Sequence, residues 1–411
     1  MNVSECGLES VKLNAFMNAK SNTKKFQFGK DKCHKIHFGC NKDSCPDLFL
    51  DTWKIEESDE YNSGQEEFND VIDEDYKIEH SEEERYLGDL ITSDGKNIKN
   101  IAARKAKGIG IVDKIFSTLN DVFFGPYYFQ AALILRNSLL LNSILLNSES
   151  WYNLTETDIK QLETVDNMLH RRILETPMTT PISILHLELG TTPIRYLIKS
   201  RRIMFLQYIL KQDENTLVNK FLRAQLHNPQ KGDWINQVNQ DIHDVDLKMT
   251  FSEIQLMSEQ SFHNRVMKAI TKFAFNWLIA EKNKPRSSSS SKGSILNYKE
   301  FKIQDYFLPN SMTIKQCNLL FSLRSRMVPV RCNYKHSHNN LACPICQDQS
   351  QLDTQIHVLT CKALLKDENI VMKDNISYSD IFSKDVKKQS EITKCFDILL
   401  RKRRNMENKK K

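Results

Sequence analysis

Near the carboxyl end four metal-binding side chains stand close together: Cys343, Cys346, His357 and Cys361, spaced C-x2-C-x10-H-x3-C. No other feature restricts the fold as tightly, because all four must converge on one point if they serve one ion. The spacing suits that. Two cysteines around a tight turn can offer both sulfurs together, and a helix starting near Asp353 would project His357 and Cys361 from one face. Three thiolates and an imidazole with no open position suit structural Zn²⁺ rather than catalytic Zn²⁺. The net charge of such a site, about −1, would be offset by Arg331, Lys335 and Lys362, and the alternative is an accidental cluster of buried cysteines. A looser group, Cys33, His34, His37, Cys40 and Cys45, fits no closed site.

The fold class predicted around this module is mainly α. Glycine and proline are scarce, 12 and 10 in 411 residues, which disfavours a turn-rich β-sandwich. ERYLGDLITSDG alternates apolar and polar residues and then meets Ser-Asp-Gly, as a strand running into a turn does. After it the apolar period is helical. Helices are expected over Asn97–Leu119, with Gly108 and Gly110 weakening the middle, and over Tyr127–Leu146. A third should begin at the Thr155–Asp158 capping pattern, a fourth span Pro193–Lys211, and a helical stretch run from Thr250 to Glu281. Gln130, Arg136, Asn137, Ser138 and Asn142 interrupt Tyr127–Leu146, so a buried core helix is expected there and no membrane span.

Charge and composition divide the chain. Residues 1–95 contain a strongly acidic stretch over about 56–84, expected to be a solvated insertion. A helical domain follows at 96–230, a helical connector at 231–282, a Ser-rich linker at 283–295 and the Cys/His module with a basic tail at 296–411. Net charge is only +6. However, Lys96–Arg223 is enriched in basic residues, and Arg195, Lys199 and Arg202 recur at i, i+4, i+7 on one helical face, which hints at a polyanionic partner. No leader opens the chain, so the reading expects reduced thiols inside the cell, with nucleus and cytoplasm undivided. The Arg401–Arg404 run is either an import signal or a solvated tail.

Catalytic motifs are missing from the sequence. It has no Tyr/Phe-x-Asp-Asp, no phosphate-binding loop and no nucleophile elbow. Asp47 with Asp51-Thr52-Trp53-Lys54 makes a poor restriction-type nuclease pattern. No catalytic or cofactor-binding residue is assigned, and no small-molecule substrate is expected.

The order of motifs resembles the end of the reverse transcriptase region of non-LTR retrotransposon polyproteins. KKFQFGKDKCHKIHFG, SCPDLFLDTW and RYLGDLITSDGKNIKNI resemble the close of the palm, with Tyr86-Leu87-Gly88 and Asp94-Gly95 in its hairpin. The segment LRNSLLLNSILLNSESWYNLTETDIKQLETVDNMLHRRIL is similar to the helical thumb, matched at Glu149, Trp151, Leu154, Asp166 and Arg171–Leu174. FSLRSRMVPVRCNY with the Cys/His set resembles the zinc knuckle.

The resemblance implies a residual palm hairpin, a thumb-like bundle and a knuckle module, with RNA or DNA as partner. It implies phosphate contacts from Arg195, Lys199, Arg202 and Arg171, and a knuckle that mounts Arg324, Arg326 and Arg331. Each of these cations has an equal alternative as a surface or helix-pairing charge. The family's catalytic palm would precede Met1, so the chain reads as a non-polymerising remnant, or as the tail of an active RNA-directed DNA polymerase if upstream sequence supplies the aspartates and their Mg²⁺. A zinc-stapled protein-interaction module is the alternative from another class. A thumb without its palm would leave Leu139, Leu140, Leu145 and Leu146 exposed.

Overall fold

The computed structural model describes residues 34–36, 79–86, 88–121, 125–230, 232–284, 298–334, 337–346, 348–366 and 378–409. Most of the acidic stretch, the Ser-rich segment and Cys33, His37, Cys40 and Cys45 lie outside them. The described chain is mainly helical and divides into two compact units, Met1–Ala103 and Arg104–Lys411. The boundary cuts the expected module at 96–230 near its start, and the rest of that module falls within one unit together with those expected at 231–282 and 296–411.

In the first unit β1 (His34–Lys35) pairs in parallel with β2 (Glu79–His80), and β3 (Glu83–Tyr86) pairs antiparallel with β4 (Asp89–Thr92). Tyr86 faces Asp89 across a tight turn whose Gly88 has φ of 89°, a conformation glycine adopts without strain. Beyond β4, Thr92 Oγ1 donates to Asp94 Oδ1 at 2.7 Å and Gly95 (φ 65°) completes the Ser-Asp-Gly turn. Helix α1 (Ile98–Asp121) begins here, where Asn100 donates to Asp89 at 2.9 Å.

In the second unit the continuation of α1 meets a long rod. This runs from α2 (Tyr128–Leu135) through a π-helical stretch (Arg136–Leu141) into a last turn, Asn142–Ile144. A Cβ on Gly108 would stand 2.9 Å from side-chain atoms of Ile144 and Val165, so the glycine that weakens α1 locally is what lets three helices approach. Leu140 and Leu145 are fully buried here, while Leu139 and Leu146 are partly exposed. The expected exposure of all four is therefore corrected: the two inward residues already have packing partners within the chain.

Next come α3 (Glu156–Ile173), α4 (Ile182–Leu189), α5 (Ile194–Lys211), α6 (Leu217–His227), α7 (Trp234–Asp244), α8 (Phe251–Leu256) and α9 (Glu259–Asn283). The capping box forms at Thr155/Asp158 as its residues predict, and another at Thr250/Glu253. Helix α5 is the axis, enclosed by α3, α6, α7, α8 and α9. Its Tyr196, Ile203, Leu206 and Ile209 share a core with Val238, Ile254, Phe262, Val266 and Ile270.

The carboxyl-terminal part is welded onto this bundle through Glu188, which is wholly buried on α4. Tyr298 Oη donates to Glu188 Oε1 at 2.7 Å, Tyr306 Oη donates to Oε2 at 2.9 Å, and Arg324 Nε donates to Oε1 at 2.9 Å. Leu189 bridges to Ile303, and a Cβ on Gly190 (φ 64°) would fall 2.3 Å from the Ile303 nitrogen. The Phe129 and Phe307 rings pack at 4.5 Å. Helix α10 (Ile314–Arg324) then lies against α14 (Val386–Asn408), with α11 (Gln355–Thr360), α12 (Lys362–Leu365) and α13 (Tyr378–Ile381) completing this region. No helix among the described residues is long and apolar enough to cross a membrane.

Candidate metal centre

A short irregular hairpin builds the first half of the site. Cys343 N donates to Gln351 O at 2.9 Å and Asp353 N to Leu341 O at 2.8 Å, while Asp348 closes the far turn by accepting from Ser350 N and Oγ. The turn after Cys343 swings Cys346 back beside it. Thr354 then caps α11 by accepting from His357 N at 3.0 Å, so His357 leaves the first turn and Cys361 follows the last.

The four ligand atoms all lie within 4.8 Å of one another, with Cys346 Sγ and His357 Nε2 at 3.5 Å. Cys343 and Cys361 are buried, and Cys346 and His357 are half-buried. The cluster could hold a metal ion. Burial pushes the Cys343 thiol up to about 11 and lowers His357. Deprotonated thiols this close and this dry would repel each other unless a cation sat among them.

Asp353 fastens the hairpin to the rest of the unit. Wholly buried, it accepts from both terminal nitrogens of Arg403 on α14 at 2.7 Å each and from Arg331 N at 2.7 Å. The side chain of Gln355 donates to Leu323 O, and Asn333 donates to Gln355 Oε1 at 3.2 Å. The cluster, α10 and α14 thus form one polar assembly. Arg403 belongs to the run read as an import signal or a solvated tail, yet it is buried and the run is helical to Asn408.

The cations expected on phosphates have other occupations. Arg195 donates to Glu163 at 2.8 and 2.9 Å and to Glu156 at 2.9 Å. Lys199 is shared by Asp241 (2.8 Å) and Asp244 (2.6 Å), while buried Arg202 meets Asp241 at 2.7 Å and Trp151 O at 3.2 Å. Arg324 is spent on Glu188. Arg171 is half-buried, near Thr180 O at 3.4 Å. Arg331 is half-buried and donates to the carbonyls of Asn340 and Ala342, and Arg326 is half-buried with φ of 56°. The stripe on α5 is real but faces inward, because α5 is enclosed by neighbours whose carboxylates meet it. Arg195, Lys199, Arg202 and Arg324 thus take the helix-pairing role in this structure, each engaged by a carboxylate of its own chain.

A second group escaped the sequence reading. Asp166, His170 and His186 also place ligand atoms within 4.8 Å of one another, all buried. Arg136 from the π-helical stretch takes both Asp166 oxygens, at 2.6 and 2.7 Å. A guanidinium already neutralises the only carboxylate there, so this is a polar core rather than a cation site. Burial lowers His170 well below its usual range and His186 to about 4. The i, i+4 pair Asp166/His170 was the only local signal, and its partner Arg136 lies too far away in sequence to be paired by eye. Comparison with protein-family models, with curated proteins and with solved structures finds no match for this chain.

Proposed function

We propose that the Cys343, Cys346, His357 and Cys361 cluster holds a structural zinc ion, and that the module it closes binds nucleic acid without catalysing a reaction. The observation that carries this is the closed set of three thiols and one imidazole, tied through Asp353–Arg403 to a helix with exposed cations. Four such ligands leave no position for substrate, so the ion serves folding. Exposed Lys387, Lys394, Arg401 and Arg404 lie along α14, and exposed Arg265, Lys268 and Lys272 follow one face of α9. These exposed groups, rather than the more enclosed stripe on α5, are the ones placed to reach a phosphate backbone, although Arg401 also pairs with Asp397 and Arg265 with Lys248 O. The resemblance to the thumb and knuckle of non-LTR reverse transcriptases supports the same partner class.

The test has two parts. Native mass spectrometry should find one zinc per chain, lost on Cys343→Ser. RNA and DNA binding should weaken steeply with salt, and Lys268→Glu/Lys272→Glu or Lys394→Glu/Arg404→Glu should reduce it. A zinc-free chain would remove the first half of the proposal, and salt-independent binding the second.

A further inference from the structure

Helix α6 is apolar on two sides. Inward, Leu222 is buried and Val218 half-buried against the bundle. Asn219 donates to Ile209 O at 3.2 Å and to Gln212 O at 3.0 Å, and Gln225 accepts from Ile235 N at 3.2 Å. Outward, Leu217 is 84% and Phe221 63% exposed, four residues apart on one face, and exposed Ala224 continues the ridge. A lone apolar side chain at a surface is ordinary. A helix whose apolar residues run round both sides is instead suited to being covered on both. Among the described residues α5 and α7 cover the inner side and leave the ridge bare. Charge is graded along it. Exposed Asp213 and Glu214 precede the first turn, and exposed Lys220, Arg223 and His227 follow, with Arg223 reaching back to Glu214.

We propose that this ridge docks, without any nucleic acid, onto the same ridge of a second copy of the chain. The two α6 helices run antiparallel about a two-fold axis between Lys220 and Phe221. The residue pattern supplies its own complement. That axis sets Leu217 against the second copy's Ala224, large on small, and Phe221 beside the stem of the second copy's Lys220. Glu214 then stands opposite the second copy's His227, and the two helix dipoles oppose each other. Each contact occurs twice, as an isologous pair requires. A polyanion would meet Asp213 and Glu214 as well as the cations, and a lipid surface would have to desolvate both carboxylates. Eleven residues make a helix about 16 Å long, so the contact belongs to the small, concentration-dependent class.

The experiment is sedimentation velocity of the zinc-loaded, nuclease-treated full chain from about 5 to about 500 µM. Wild type should shift reversibly from one chain toward two as concentration rises. Phe221→Ser and Leu217→Ser should each weaken that association about tenfold or more. Their melting temperatures in dilute solution should stay within about two degrees of wild type, since both side chains are exposed in the single chain. Glu214→Arg and His227→Glu should each weaken the association about threefold, and the double variant should recover it, because the swapped charges face each other again. A wild type that stays a single chain throughout, an association untouched by Phe221→Ser, or a double variant no better than its parents overturns the proposal. A several-degree drop in the melting temperature of Phe221→Ser overturns the exposed placement and the proposal with it. Association seen only before nuclease treatment overturns it in favour of a bridging nucleic acid. Phosphatidylcholine vesicles that bind wild type and not Phe221→Ser overturn it in favour of a lipid surface.

Discussion

Arg202→Ala separates a structural cation from a nucleic-acid contact. The side chain is about 4% exposed, makes a 2.7 Å ion pair with wholly buried Asp241 and donates to Trp151 O at 3.2 Å. Removing one partner of a buried pair costs about 3–5 kcal/mol, because the other charge stays buried without compensation. Lys199 still reaches Asp241 at 2.8 Å, which places the expected loss at the lower end, about 3 kcal/mol. Asp241→Ala strands two cations, of which Lys199 retains Asp244, and should cost at least as much. Urea unfolding of each single variant and of the double variant gives the coupling, expected between about 1 and 3 kcal/mol. At protein concentrations and temperatures where the variants remain folded, RNA binding and its salt slope should match wild type. A stability loss below about 0.5 kcal/mol together with a shallower salt slope would refute the inward placement of this stripe and restore it as a phosphate contact.

Glu188→Gln keeps shape but deprives Arg324 of its counter-charge and two tyrosyl hydroxyls of an ionic acceptor, so a loss of about 3 kcal/mol is expected in chemical denaturation. Gly190→Ala forces a side chain into a left-handed conformation and onto the Ile303 backbone, which should lower stability by about 2 kcal/mol or more, read by thermal melting. His170 and His186 are held neutral by burial, with folded pKa values below the unfolded ones. Their contribution is therefore present above the unfolded value near 6.5 and lost as pH falls from there toward the folded values, about 4 for His186. Two such groups imply roughly 3 kcal/mol between pH 6.5 and 5, and His170→Phe should flatten about half of that slope. Chelation of zinc should open the hairpin around Cys343–Cys361 to protease and release α14, whereas cobalt substitution should restore protection and give tetrahedral absorption bands.

What the sequence made legible was local. Thr155 with Asp158, the Ser-Asp-Gly turn after β4, the span of α5 and the four ligands of the metal cluster are signals carried within a few residues, and each is found in the fold where expected. The direction of a helical face is not local. Arg195, Lys199 and Arg202 do share one face of α5, but that face is covered by α3 and α7, whose Glu163, Asp241 and Asp244 lie 32 to 45 residues away. The boundary assigned to the Ser-rich segment has the same origin. Low complexity marks a break in local structure, and nothing in it tells that Tyr298 and Tyr306, just beyond, return to Glu188 across 110 and 118 residues.

Like Asp166 with Arg136, three further buried carboxylates share this logic, each joining segments distant in sequence through a guanidinium. Glu188 takes Arg324, Asp241 takes Arg202 and Asp353 takes Arg403. Two of those arginines looked like partner contacts and the third like part of a tail, because an arginine's charge is visible in a sequence while its distant carboxylate is not. The consequence for the metal cluster is specific. Asp353 sits between the cluster hairpin and α14, so the ion's contribution should pass through Arg403 to the whole terminal helix. Arg403→Met should therefore loosen α14 while the four ligands stay close enough to retain zinc. Loss of zinc in that variant would instead mean that the cluster depends on the helix, and not the helix on the cluster.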